Sequence, residues 1–186
     1  METFNTQYGI VTLYRNDIYF IKGFINGGYW DIDSLLNIKE YIDPNRNILE
    51  IGGHSGTSTI IYAKYLNSDK KVYVYEPQQK QYNLLRYNVI QNNLEDKVIV
   101  YNKAVFCNNM NMKMNNIDID FSKKIVSNCY NNSNILCNFG GIGLGENGEN
   151  VDAITFDDMN HSDIGFIHCD AQGAENHIFS KAHSLI

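Results

Sequence analysis

Residues 47–56, NILEIGGHSG, restrict what this chain can fold into more than any other stretch. A short apolar run, residues 48–51, enters a turn that holds Gly52, Gly53 and Gly56. A helical spacing follows at once over residues 55–66, with Ile60, Ile61, Ala63 and Leu66 on one side and Ser55 or Thr57 at its start. A strand that turns straight into a helix is the opening of an α/β unit. The next β-prone run, residues 71–76, alternates and closes on Glu76 before Pro77. Glu50 stands just ahead of the glycines, so two successive strands each carry a carboxylate near their end.

Glycine lets a backbone approach a ligand closely because it has no Cβ and accepts positive φ. The helix behind the turn offers free N–H groups and a partial positive charge. Dinucleotide enzymes aim that end at a pyrophosphate through G-x-G-x-x-G. Here the run reads E-x-G-x-x-x-G, and an acid before the glycines repels a pyrophosphate but suits a cation. The amino group of S-adenosylmethionine is such a cation, so Glu50 discriminates between the two cofactors. Glu76, at the tip of the second strand, suits both hydroxyls of a ribose, which NAD and S-adenosylmethionine share.

These pieces resemble the FkbM-type methyltransferases. That family has an acid-x-Gly-Ala-Asn-x-Gly loop, a strand ending Glu-Pro, and a later strand ending in Asp followed by Glu-Gly-x-Glu. The corresponding pieces here are ILEIGGHSG, VYVYEP and FIHCDAQGAE, the last covering residues 166–175. The likeness runs over about residues 46–106 and 151–182. Glu50 replaces the usual Asp, Gly53 and His54 replace Ala-Asn, Gln172 replaces an acid, and His168 replaces a Lys. The resemblance implies S-adenosylmethionine bound by Glu50, Gly52, Gly53, His54, Ser55, Gly56, Glu76 and Pro77. Near the end of the third strand, where the family reaches the adenine, it adds Ala104. It also implies methyl transfer to oxygen on a sugar or other small molecule.

A chain of 186 residues with 44% hydrophobic content is long and apolar enough for one packed domain rather than disorder. The net charge of −6, with no Lys/Arg cluster, argues against a nucleic-acid partner. No apolar run approaches the ~20 residues that cross a bilayer. The N-terminus lacks a basic-then-apolar leader, so a cytoplasmic location and no membrane partner are expected. Cys107, Cys129, Cys137 and Cys169 form no C-x-x-C and no zinc-like spacing with histidine, so free thiols and no metal site are expected.

In chain order, residues 9–14 and 18–24 are apolar and β-prone around Arg15-Asn16-Asp17, which predicts a hairpin. Together with Tyr29 and Trp30 that hairpin forms either a lid over the cofactor or padding on the sheet edge. A helix is expected over 34–41, capped by Asp31 or Asp33. Pro77 suits the first turn of a helix reaching about Gln91, and residues 97–106 read as the third strand. Residues 107–150 lose periodicity and read as an insertion or mobile loop. GGIGLG within them, residues 140–145, is flanked by neither strand nor helix and is not a nucleotide loop. Strands at 151–156 and 164–169 lead to Asp170, Gly173 and a helix over 174–183.

The expected fold is therefore an α/β, Rossmann-like three-layer sandwich with a mainly parallel sheet, without the C-terminal strands usual for a class I methyltransferase. An uncovered edge strand invites a homodimer. Asp170 ends a strand and Glu175 opens a helix, so both are expected in the cleft as catalytic carboxylates that take or orient an acceptor proton. Their other reading is helix capping and dipole complementarity. His54 is a further base by its free pKa, or simply a loop residue. Two other functions stay open: a non-catalytic scaffold, favoured by Gln172 and His168, and an NAD-linked oxidoreductase.

Overall fold

The computed structural model describes residues 1–116 and 136–183. The chain opens with an antiparallel hairpin of β1 (Glu2–Thr6) and β2 (Gly9–Leu13). Helices α1 (Ile18–Phe24) and α2 (Ile32–Asn37) follow, and α2 runs on into a 3₁₀ turn at Ile38–Tyr41. Next come β3 (Asn47–Ile51), α3 (Thr57–Tyr65), β4 (Val72–Tyr75), α4 (Gln79–Gln91) and β5 (Val98–Tyr101). The remainder is β6 (Ala104–Val105), β7 (Asn111–Met114), β8 (Leu144–Gly145), β9 (Asn150–Ile154), β10 (Ile164–Cys169) and α5 (Glu175–Phe179).

Strands β10, β3, β4 and β5 form a parallel sheet in that order. The order reverses between β3 and β10, which opens a crevice above their carboxyl ends. This is the α/β, Rossmann-like arrangement expected from the sequence. All five residues of β3 are buried, as a parallel strand covered on both faces requires. Ile48 joins Val72, Val74, Ile60, Leu85 and Val89 on one face. Leu49 and Ile51 join Tyr75, Phe156 and Ile178 on the other. Burying each such side chain contributes roughly 1.5–3 kcal/mol.

Several expectations need correction. The hairpin is β1 with β2, and residues 18–24 are helix α1. Gly9 at φ +142° ends the turn that folds β2 back on β1. Phe20, Ile21 and Phe24 then share the inner side of a helix. A seven-residue apolar run fits either period, and packing decided it. The hairpin does not pad the sheet edge; it lies on α4. Asn88 accepts the Thr12 amide at 2.8 Å and donates to the Thr12 carbonyl at 2.9 Å, while Asn92 does the same for Ile10 at 2.9 and 2.7 Å. Two side-chain amides thus satisfy the open edge of β2.

The run 97–106 is two strands, because Asn102 donates to the carbonyls of Glu76 and Pro77, both at 3.0 Å, and turns the chain out of the sheet. Then β6 pairs with β9 in a second, mixed sheet ordered β6-β9-β7-β8. Strands β7 and β8 thus give regular structure to both flanks of the stretch expected as a loop, and residues 117–135, with Cys129, lie outside the described residues. Helix α3 is capped by Gly56 in the left-handed region and not by Ser55 or Thr57. Pro77 precedes α4, which starts at Gln79. The last helix spans only Glu175–Phe179. Cys107 and Cys169 are free thiols.

Candidate functional site

Above the crevice lies a cavity of about 680 Å³. Its floor is the turn after β3 and the ends of β4 and β10; its walls come from α1, α2, the loop after β5 and residues 138–144. Such a volume is typical of a small-molecule site. Gly52, Gly53, His54, Glu76, Pro77, Ala104, Asp170, Ala171 and Gln172 all line it. Three elements distant in sequence thus converge as the motifs implied.

The glycines serve the protein's own packing first. Gly52 has φ +91°, and a Cβ there would stand 2.0 Å from the Asp170 carbonyl oxygen. A Cβ on Gly53 would stand 2.3 Å from Val74 Cγ2. The amides of both glycines donate to the Tyr75 carbonyl, at 2.9 and 3.1 Å. The turn is therefore clamped onto β4, and its upper side faces the cavity. Gly56 and Ser55 do not line it; Ser55 is fully buried.

Glu76 is buried and lines the cavity. Its Oε2 accepts the His54 amide at 2.7 Å and its Oε1 the Gln78 amide at 2.8 Å. Burial drives its pKa up to about 7, against the charge of His54 and the two amides, with Glu149 adding to the rise. Each carboxylate oxygen keeps a second lone pair for a ligand donor. A rigid, buried acceptor at the tip of the second parallel strand fits the two hydroxyls of a ribose. The Tyr62 hydroxyl, buried at the cavity wall without a partner among the described residues, is a further polar group that a ligand would satisfy.

Glu50 is placed differently from its expected role. It is fully buried and does not line the cavity. Its Oε1 accepts from Ser58 Oγ, its Oε2 accepts from Thr59 Oγ1, and His168 Nδ1 lies 3.5 Å from Oε1. The carboxylate lies under the floor, turned toward α3, because alternate residues of a strand face the same side and Glu50 follows Ile48 into that core. It does not reach a ligand amine directly.

His54 sits at φ +46° with its ring stacked on Phe20 at 4.0 Å. Its Nδ1 lies 3.1 Å from Ser55 Oγ and its Nε2 3.2 Å from Asp17 Oδ2. Nδ1 meets Ser55, and Nε2, though it makes no hydrogen bond among the described residues, is shielded from solvent against Asp17, so the ring fastens α1 to the glycine turn rather than offering an open nitrogen to the cavity. Asp170 lines the cavity, and its Oδ1 accepts the Gln172 amide at 2.7 Å. Glu175 does not line the cavity; it accepts the amides of Ala171 at 2.8 Å and Gly173 at 3.0 Å. It closes the turn before α5 and opens that helix as its first acidic residue, while the N-cap position is Ala174, with no side-chain cap from Asp170.

The N-terminal segment supplies what motif reading did not assign. Tyr19, Phe20, Trp30, Asp31 and Ser34 all face the cavity. Trp30 stacks on Phe20 at 4.9 Å and is a wall rather than core. Tyr29 is the core residue of that pair, with its hydroxyl donating to the Thr57 carbonyl at 2.7 Å. No period separates these aromatics from core-forming ones, so only docking on the sheet reveals their role. No group of residues suited to a metal ion occurs among the described residues. No helix among them is long and apolar enough to cross a membrane.

A family model of the methyltransferase FkbM domain matches residues 50–185. No curated protein matches the sequence. Among solved structures, the chain is similar to a methyltransferase FkbM from Methylobacillus flagellatus KT, at 14% identity and TM-score 0.49, over 76% of this chain and 30% of that one. It is also similar to a SAM-dependent methyltransferase from Agrobacterium tumefaciens, at 18% identity and TM-score 0.32, over 39% of this chain and 22% of that one. The chain thus spans less than a third of the length of either. The family match takes in the glycine turn, Glu76 and the β10 edge, so the chain belongs to the methyltransferase FkbM domain family.

Proposed function

We propose that this chain binds S-adenosylmethionine in the cavity and transfers its methyl group to a hydroxyl oxygen of a small molecule or sugar. Glu76 carries the reading: a buried carboxylate at the end of β4, held by two backbone amides and lining the cavity. It would take the ribose hydroxyls. The amide-clamped turn at Gly52 and Gly53 would carry the methionine part, and Lys103 and Ala104 would lie against the base. When bound, the sulfonium supplies an electrophilic methyl, and catalysis is then mainly a matter of holding donor and acceptor in line. Asp170, at the mouth of the cavity, would orient the acceptor hydroxyl. Trp30, Phe20 and Tyr19 would cover it and exclude water.

Calorimetric titration tests this reading. S-adenosylmethionine and S-adenosylhomocysteine should both bind with micromolar-range affinity, and NAD should not. Heat from NAD alone would favour the oxidoreductase, and heat from none would favour a scaffold.

A further inference from the structure

Residues two apart on a strand face the same side, so His168 lies one step below Asp170 on the cavity side of β10. It is also the register partner of Glu50 on β3. Its Nδ1 is shielded from solvent and lies 3.5 Å from Glu50 Oε1. That separation is long for a hydrogen bond and Nδ1 makes none among the described residues, so Glu50 acts on the ring through its charge and its position behind Nδ1. The ring lines the cavity, and with Nδ1 sealed against Glu50 the nitrogen it offers there is Nε2. Tyr62 from α3 stands edge-on to the ring at 5.7 Å and fixes its plane. A buried carboxylate behind one nitrogen of an imidazole, with the other nitrogen open to a ligand cavity, is how general bases are oriented.

We infer that His168 is the catalytic base of this site, with Glu50 as the residue that positions it. The inference rests on the methyl-transfer reading. In the step, an acceptor oxygen lone pair forms the O–CH₃ bond as the methyl–sulfur bond breaks and its electrons return to sulfur; the hydroxyl proton passes to His168 Nε2. The imidazolium so formed stands against the Glu50 carboxylate, and it loses the proton to solvent once the product leaves. Asp170 is less suited, because Oδ1 is already engaged by Gln172 and the residue lies at the open rim.

The charges around the ring agree with this role. Burial alone would lower the His168 pKa; Glu50 on β3, Asp170 just past the end of its own strand and Asp31 before α2 reverse that and raise it above the usual histidine value. The carboxylates favour proton uptake, and a sulfonium nearby opposes it.

Nitrogen-detected NMR of the full chain labelled with ¹⁵N-histidine tests the assignment, with His168→Gln identifying the signal. The expected result has three parts. Near neutral pH, the uncharged ring carries its proton on Nδ1. The His168 pKa falls in Glu50→Gln. It is also lower by about one pH unit with S-adenosylmethionine bound than with S-adenosylhomocysteine, because only the former carries the positive sulfur. Glu50→Asp serves as the second variant should Glu50→Gln not fold. A proton on Nε2, or one pKa in both complexes, overturns the assignment while leaving the cofactor reading intact. Absence of binding by either nucleoside overturns both.

Discussion

The Glu76 Oε2 accepts the backbone amide of His54 at 2.7 Å, which latches the tip of β4 to the glycine turn after β3. Two segments that must act on one ligand are fixed to each other before it arrives. Preorganisation of this kind reduces the ordering cost of binding. It also sets the first prediction, because the latch is made by a buried acid.

The folded pKa of Glu76 is raised from 4.5 to about 7. Below pH 4.5 the acid is protonated whether the chain is folded or not, and burial costs nothing extra. As pH climbs from 4.5 to about 7 the folded chain holds the proton longer, and stability falls by about 3 kcal/mol. Urea unfolding across that window should show the decline, with Glu76→Gln flattening it. An unchanged slope in the variant would remove Glu76 as the source.

Gly53→Ala should destabilise the fold by roughly 1–3 kcal/mol, since its Cβ would stand 2.3 Å from Val74 Cγ2 and 2.6 Å from Leu85 Cδ1. Gly52→Ala should cost more, because the obstacle is the Asp170 backbone and the residue has φ +91°. Gly27→Ala is the control: at φ +78° it shares the backbone strain but meets nothing within 4 Å. Thermal melts should rank Gly52 above Gly27; equal losses would mean that backbone strain alone matters.

Asn88→Leu should cost about 2–4 kcal/mol. The change strands the amide and carbonyl of Thr12 and the Ser55 carbonyl, which Asn88 engages at 2.8, 2.9 and 2.7 Å. Hydrogen exchange should then quicken first in β2. Protection lost uniformly over the parallel sheet instead would show that the hairpin is not held through α4.

Much of this architecture is legible in the amino-acid sequence. The glycine turn and the strand at 164–169 follow from apolar runs bounded by turn formers, which local chemistry fixes, and the mainly parallel sheet follows from strands alternating with helices. Residues 18–24 are not legible in that way, because a short apolar run satisfies both periods and only docking chose the helix. The direction of Glu50 is not legible either. Its place before the glycines suggests a ligand contact, but the pleat turns it under the floor against Ser58, Thr59 and His168. Trp30 and Asp31 reach the site through tertiary packing that no spacing records.

The most direct test is the affinity of Glu76→Gln for S-adenosylhomocysteine, compared with the wild-type chain and with Glu50→Gln by calorimetry. Charge-assisted hydrogen bonds to two hydroxyls are worth about 1.5–3 kcal/mol each, so loss of the Glu76 charge should weaken binding at least ~10-fold. Glu50→Gln should weaken it far less, since Glu50 lies beneath the floor. Wild-type affinity in Glu76→Gln, with the variant folded, would contradict the account.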